Sequence, residues 1–151
     1  MSIVVDNPSA LADAIGRRAT GDWFAVDQTR VQSFADATED WQWIHLDAQR
    51  AASGPFGATI AHGYLTLSLL PRLTAGLLEV SGAAMVVNYG LDRVRFLQPV
   101  TVGSRIRAAT EITSAIDGPQ GWRVSATTTV EIEGSERPAL VAETVALFIP
   151  E

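Results

Sequence analysis

Leucine recurs every fourth residue at Leu65, Leu69, Leu73 and Leu77, and Leu67, Leu70 and Leu78 widen the stripe until the segment is apolar nearly all round. A helix of that kind has no face to give to water, so the rest of its own chain must enclose it. Pro71 lies inside the segment; its missing N–H frees the carbonyl of Leu67, and the sequence predicts a long helix that bends or divides there. Pro71, Arg72 and Glu79 interrupt the apolar run too often for it to span a bilayer.

The enclosing material is β. Val87, Tyr89 and Leu91 alternate on odd positions and Val94 and Phe96 on even ones, a slip of phase that predicts a bulge near Asp92-Arg93. Val102, Ile106, Ala108, Thr110, Ile112 and Ile116 then share one face, Asp117-Gly118-Pro119 turns the chain, and Trp122, Val124, Ala126, Thr128, Val130 and Ile132 repeat the pattern, which predicts a hairpin. Ala139 to Ile149 is apolar on both parities apart from Glu143 and Thr144, as a central strand covered on both faces would be.

Ahead of the apolar segment, Ser9 is a candidate cap for a short helix carrying Leu11, Ile15 and Ala19 on one face, and Trp23 to Val26 reads as a first strand. Thr29 is a candidate cap for a second helix whose stripe of Val31, Phe34 and Ala35 fails at Thr38-Glu39-Asp40, leaving Asp40 in a loop. Trp41 to Leu46 holds neither period, and Asp47 to Ala52 has room for one or two helical turns before Ser53-Gly54-Pro55. The expected architecture is α+β, an antiparallel sheet wrapped around one long apolar helix in one domain spanning residues 1–151.

A net charge of −6 and a pI near 4.8 provide no basic field for a phosphate backbone, so nucleic-acid binding lacks its usual driving force. The absence of cysteine removes disulfides, thiol nucleophiles and thiolate metal sites together and fits a reducing cytoplasm. The N-terminal residues carry no cationic lead followed by an apolar core, so no signal peptide is expected. The two histidines stand seventeen residues apart without H-x-H or H-E-x-x-H spacing, and no metal site is expected.

The polar residues with a chemical pattern lie between Phe34 and Leu70. An aspartate after a helix is commonly a turn residue and a lone histidine commonly a core one, but Asp40 and His45 share a loop with Trp41, Trp43 and Ile44. In such poorly hydrated surroundings a carboxylate and an imidazole can tune each other toward neutral pH. His62-Gly63 opens the apolar helix, where glycine admits close approach and the first N–H groups lack internal partners; those donors suit a developing oxyanion. His62 reads as a cap or a buried structural residue and Gly63 equally as a simple turn.

With those residues in view, the run Phe34 to His45, the small Ala51 six positions after the histidine and the His62-Gly63 helix opening resemble the MaoC-like (R)-specific enoyl-CoA hydratases. The likeness is to the nodulation N-like branch, which carries D-x-Q-W-I-H where better-known hydratases carry D-x-N-P-[LIV]-H, and it continues through Asn88 to Val100. The resemblance implies a hot-dog fold, a homodimer with an acyl-thioester tunnel near its interface, and a CoA thioester substrate with no cofactor. It also implies Asp40 and His45 as catalytic residues and the Gly63 N–H as oxyanion donor. The glycine that often precedes the aspartate is Glu39 here, and Gln42-Trp43 replaces Asn-Pro, making those two candidate substrate-binding residues. A helix serine of some members falls at Pro71, with Ser68 one turn earlier as its substitute.

The expected reaction is reversible hydration of a trans-2-enoyl thioester to the (R)-3-hydroxyacyl thioester. A hot-dog thioesterase attacking C1, a non-catalytic acyl-thioester binding module and a structural dimer are the rival readings. A buried Asp-His pair would be a needless desolvation cost in the last of these.

Overall fold

The computed structural model describes residues 1–151. Four long strands follow one another late in the chain: β5 (Ala83–Phe96), β6 (Arg105–Gly118), β7 (Gly121–Ile132) and β8 (Leu140–Pro150). Before them come β1 (Ile3–Val5), a 3-10 helix (Pro8–Ala14), β2 (Arg18–Thr20), β3 (Phe24–Ala25), helices α1 (Gln28–Thr38), α2 (Trp43–Leu46), α3 (Ala48–Ala52), α4 (Gly63–Ser68) and α5 (Leu70–Leu73), and β4 (Leu78–Val80). The main sheet runs β2-β6-β7-β8-β5, with β3 also paired to β6, and all its pairings are antiparallel. A separate parallel pair joins β1 to β4. No helix is long and apolar enough to cross a membrane.

The apolar segment packs as its composition requires, but as two short pieces rather than one long helix. α4 stops at Ser68 and α5 covers only Leu70–Leu73, because Pro71 cannot donate to the Leu67 carbonyl and the ladder breaks around Leu69. Leu65, Leu69, Leu70 and Leu73 still bury against Ile106, Ala108, Val130, Leu140 and Ala142 of the sheet, with Val31 of α1 closing the cluster. Leu77 has left the helix and joins a second cluster with Ile3, Leu11, Ile112, Val124 and Phe148, where the N-terminal segment closes the other end of the sheet.

The β6–β7 hairpin forms around Pro119-Gln120, and β8 is central, between β7 and β5. The expected bulge lies between Leu91 and Arg93, and β5 has two further register shifts, at Ala83/Met85 and Asn88/Gly90. One shift was not legible: the register slips between Ile112 and Ser114, so Ile112 is buried while Ile116, expected on the same face, is 51% exposed. β5 pairs with β8 and not with β6, so the chain crosses over between β5 and β6.

The N-terminal helix is the largest correction. Asn7, not Ser9, caps a 3-10 turn that ends at Ala14; Ile15 is half-exposed and Ala19 belongs to β2, so Leu11, Ile15 and Ala19 do not share a helix face. Asp27, not Thr29, caps α1 by accepting from the Arg30 N–H at 2.8 Å. Trp41 to Leu46 contains one helical turn, too short for any period to register.

Candidate active site

The site grows from the end of α1. Val31 and Ala35 bury that helix, and it terminates at Glu39, whose φ of 60° makes it the one non-glycine residue in the left-handed region. Such a residue reverses the chain at a helix end and is the natural place for glycine, which explains the glycine of the related motif. The reversal delivers Asp40 into a loop with its side chain 49% exposed. Its Oδ1 accepts a long bond of 3.4 Å from the Gln42 N–H.

The single turn of α2 carries His45 inward to 6% exposure. Gln28, which nothing in the sequence singled out, holds this turn: its Nε2 donates to the His45 carbonyl at 2.7 Å while its Oε1 accepts from the Thr59 hydroxyl at 2.7 Å. The His45 Nδ1 stands 2.7 Å from the Ile60 carbonyl. A carbonyl only accepts, so Nδ1 carries the hydrogen and the neutral ring leaves its lone pair on Nε2. That nitrogen makes no protein hydrogen bond and keeps contact with solvent. Burial, above all, holds the His45 imidazole below its usual value; the Ile60 hydrogen bond opposes this, nearby His62 adds to it, and Asp40 opposes it.

Of the two readings the sequence allowed for His62, a cap or a buried structural residue, the structure supports burial. His62 precedes α4 yet makes no capping bond, and it is 2% exposed. Its Nε2 donates to the Asp40 carbonyl at 3.0 Å and lies 3.9 Å from Asp40 Oδ2. Its ring stacks on that of His45, with centroids 3.7 Å apart and planes 22° from parallel, and Phe34 of α1 packs against it at 4.9 Å.

Asp40, His45 and His62 bring side-chain N and O atoms within 4.8 Å of one another. As a metal cage the arrangement fits poorly, because stacked rings aim their lone pairs side by side instead of at one point, and Nδ1 of His45 and Nε2 of His62 are already engaged. As a place to hold water against a carboxylate and a neutral imidazole it fits well.

Gly63 is the first residue of α4, so its N–H has no intrahelical acceptor, and no loop carbonyl or side chain takes it up. A Cβ here would stand 3.1 to 3.4 Å from the Phe96 ring, and the absence of a side chain lets β5 close over the helix start.

The other candidates lie apart. Gln42 is exposed and its side chain forms no hydrogen bond, while Trp43 is sandwiched structurally, with the Arg50 guanidinium 4.1 Å from its ring centre and Gly54 so close that a Cβ would come within 3.2 Å. Ser68 lines a cavity of about 880 Å³ between α4–α5 and the sheet, with Leu67, Thr74, Asn88, Ala126 and Thr128 among its walls; Asp40, His45 and Gly63 are not among them.

A family model described as "MaoC like domain" matches residues 11–134. The chain is similar to 3-hydroxyacyl-thioester dehydratase Z of Mycobacterium tuberculosis (strain ATCC 25618 / H37Rv), at 47% identity over 97% of this chain and 95% of that protein. It is similar to Nodulation protein N of Rhizobium leguminosarum bv. viciae, at 43% identity over 96% of this chain and 90% of that one. Among solved structures, the unliganded R-hydratase PhaJ1 from Pseudomonas aeruginosa superposes with a TM-score of 0.75 at 26% identity, covering 91% of this chain and 83% of that one.

Proposed function

The chain belongs to the MaoC-like dehydratase family of hot-dog fold, a family of hydro-lyases, and on that premise we propose that it catalyses reversible syn hydration of a trans-2-enoyl-CoA to the (R)-3-hydroxyacyl-CoA. The observation that carries the reading is the convergence of the Asp40 carboxylate with a His45 ring whose hydrogen is committed to Ile60, leaving Nε2 free.

One water donates one hydrogen to Asp40 and the other to Nε2 of His45. With both hydrogens engaged, its oxygen lone pair is turned toward C3 of the substrate. As the oxygen attacks C3, the proton passes to Asp40, and the C2–C3 π electrons move toward C1, placing negative charge on the thioester oxygen. The Gly63 N–H stabilises that charge; loss of such a donor typically costs about 10²–10³ in rate. C2 then takes a proton from the same dyad, and the thioester carbonyl re-forms. No metal or redox cofactor enters this scheme.

The acyl chain extends along α4 toward the cavity at Ser68, whose walls are mostly apolar. The same reading includes a homodimer formed through β5. This strand lies at the edge of the sheet and exposes Met85, Val86, Val87, Tyr89 and Leu91, an arrangement that single soluble chains avoid. We assign the enzyme, with all 151 residues as one domain, to the cytoplasm.

The test follows the enone absorbance of crotonyl-CoA and longer trans-2-enoyl-CoAs while free thiol is monitored. Loss of absorbance without thiol release supports hydration. Thiol release would instead mark a thioesterase, and binding without either signal a non-catalytic module.

A further inference from the structure

We propose that His62 is a positioning residue for Asp40, an inference that rests on the hydratase reading and deepens it. Its burial at the start of α4 is not explained by capping, since its side chain makes no cap bond. Instead the Nε2–H donates to the main-chain carbonyl of Asp40, 22 residues away, and stays 3.9 Å from the carboxylate of the same residue. Asp40 needs such a hold. It follows a left-handed residue, its side chain is half-exposed, and its other restraint is the 3.4 Å bond from Gln42.

The ring that supplies the bond is itself fixed on two sides. His45 lies flat against it and Phe34 packs at 4.9 Å, so one imidazole ties the carboxylate-bearing loop to the partner histidine. His62 does not touch the reacting atoms: Nε2 is committed, and Nδ1 is buried without any hydrogen-bond partner. An unpaired buried acceptor destabilises a fold, and phenylalanine would fill the same space without it. A residue kept only for packing has no reason to carry that acceptor.

Two replacements separate the functions of the ring. His62→Phe keeps volume and stacking and removes the donor; His62→Gln keeps an amide donor of similar reach and removes the stack. With crotonyl-CoA as substrate, His62→Phe should lower kcat by about 10- to 10²-fold with KM within about threefold of wild type, the size expected when a reacting group is misplaced by an ångström or less. His62→Gln should recover at least about fivefold of that loss. The thermal midpoint of His62→Phe should equal or exceed that of wild type, a result that a structural role would not produce. If His62→Phe does not fold, His62→Leu takes its place in the comparison.

A donor-free variant within about twofold of wild-type kcat, a loss seen in KM instead of kcat, or equal losses in the Gln and Phe variants would overturn the role. A wild-type protein that hydrates no enoyl-CoA overturns the hydratase reading itself. An active wild type matched by both variants overturns only the assignment of His62.

Discussion

The imidazole of His45 lies face to face with that of His62, 3.7 Å between centroids, and the two rings point opposite ways in chemistry: one donates to the Ile60 carbonyl and the other to the Asp40 carbonyl. A proton added to the first ring enters a buried place already beside a second imidazole. Both rings are buried, but Nε2 of His45 keeps contact with solvent while Nδ1 of His62 is sealed.

The pH dependence follows from this. Burial, with His62 adding to it, holds His45 below 6.5 despite the Ile60 bond and Asp40. The unfolded chain takes up this proton near 6.5 and the native chain at lower pH, so between those values the unfolded state binds more protons. The contribution to stability is fully present above 6.5 and is lost as the pH falls through the native value. Chemical denaturation should show that loss, and His45→Gln should reduce it. The acid limb of kcat/KM should likewise fall below 6.5; a limb above it contradicts the assignment.

Gly63→Ala introduces a Cβ 3.1 Å from the Phe96 ring. Phe96 is half-exposed and can swing aside, so the fold survives while β5 shifts at the helix start. Hydration kcat should drop about tenfold or more, and adding Phe96→Leu should restore part of it. A single variant with wild-type kcat would separate Gly63 from the oxyanion.

How much of this was legible in the sequence depended on the range of the contact. Asp40 and His45 stand five residues apart in one tryptophan-rich loop, and the pair could be read directly; Pro71 announced the break in the apolar helix. The roles of His62 and Gln28 rest on bonds to main-chain carbonyls 22 and 17 residues away, and a carbonyl has no residue-type signature. The bulge at Asp92 changed the parity of the apolar residues and was visible. The slip after Ile112 left Ile112 and Ile116 on the same parity and was hidden.

Glu39 adopts a left-handed conformation that costs an L-residue about 1–2 kcal/mol and glycine almost nothing. Glycine also adds freedom to the unfolded chain, which offsets part of the gain. Glu39→Gly should stabilise the protein by up to about 1 kcal/mol, raising the thermal midpoint by about 2–4 °C. A lower midpoint would mean that the Glu39 side chain makes a contribution beyond its backbone.

Ala126 stands on β7 in the wall of the 880 Å³ cavity. Ala126→Phe fills that space, so kcat/KM for a ten-carbon enoyl-CoA should fall at least about tenfold more than for crotonyl-CoA. Equal losses on both substrates would place the acyl chain elsewhere.

The central claim is that Asp40 and His45 together activate water. The most direct measurement is the initial rate of enone loss from crotonyl-CoA in wild type, Asp40→Asn and His45→Ala, with folding checked by circular dichroism. The account requires hydration in the wild type and losses of about 10²–10⁴ in kcat in each variant. Hydration persisting undiminished in either folded variant would contradict it.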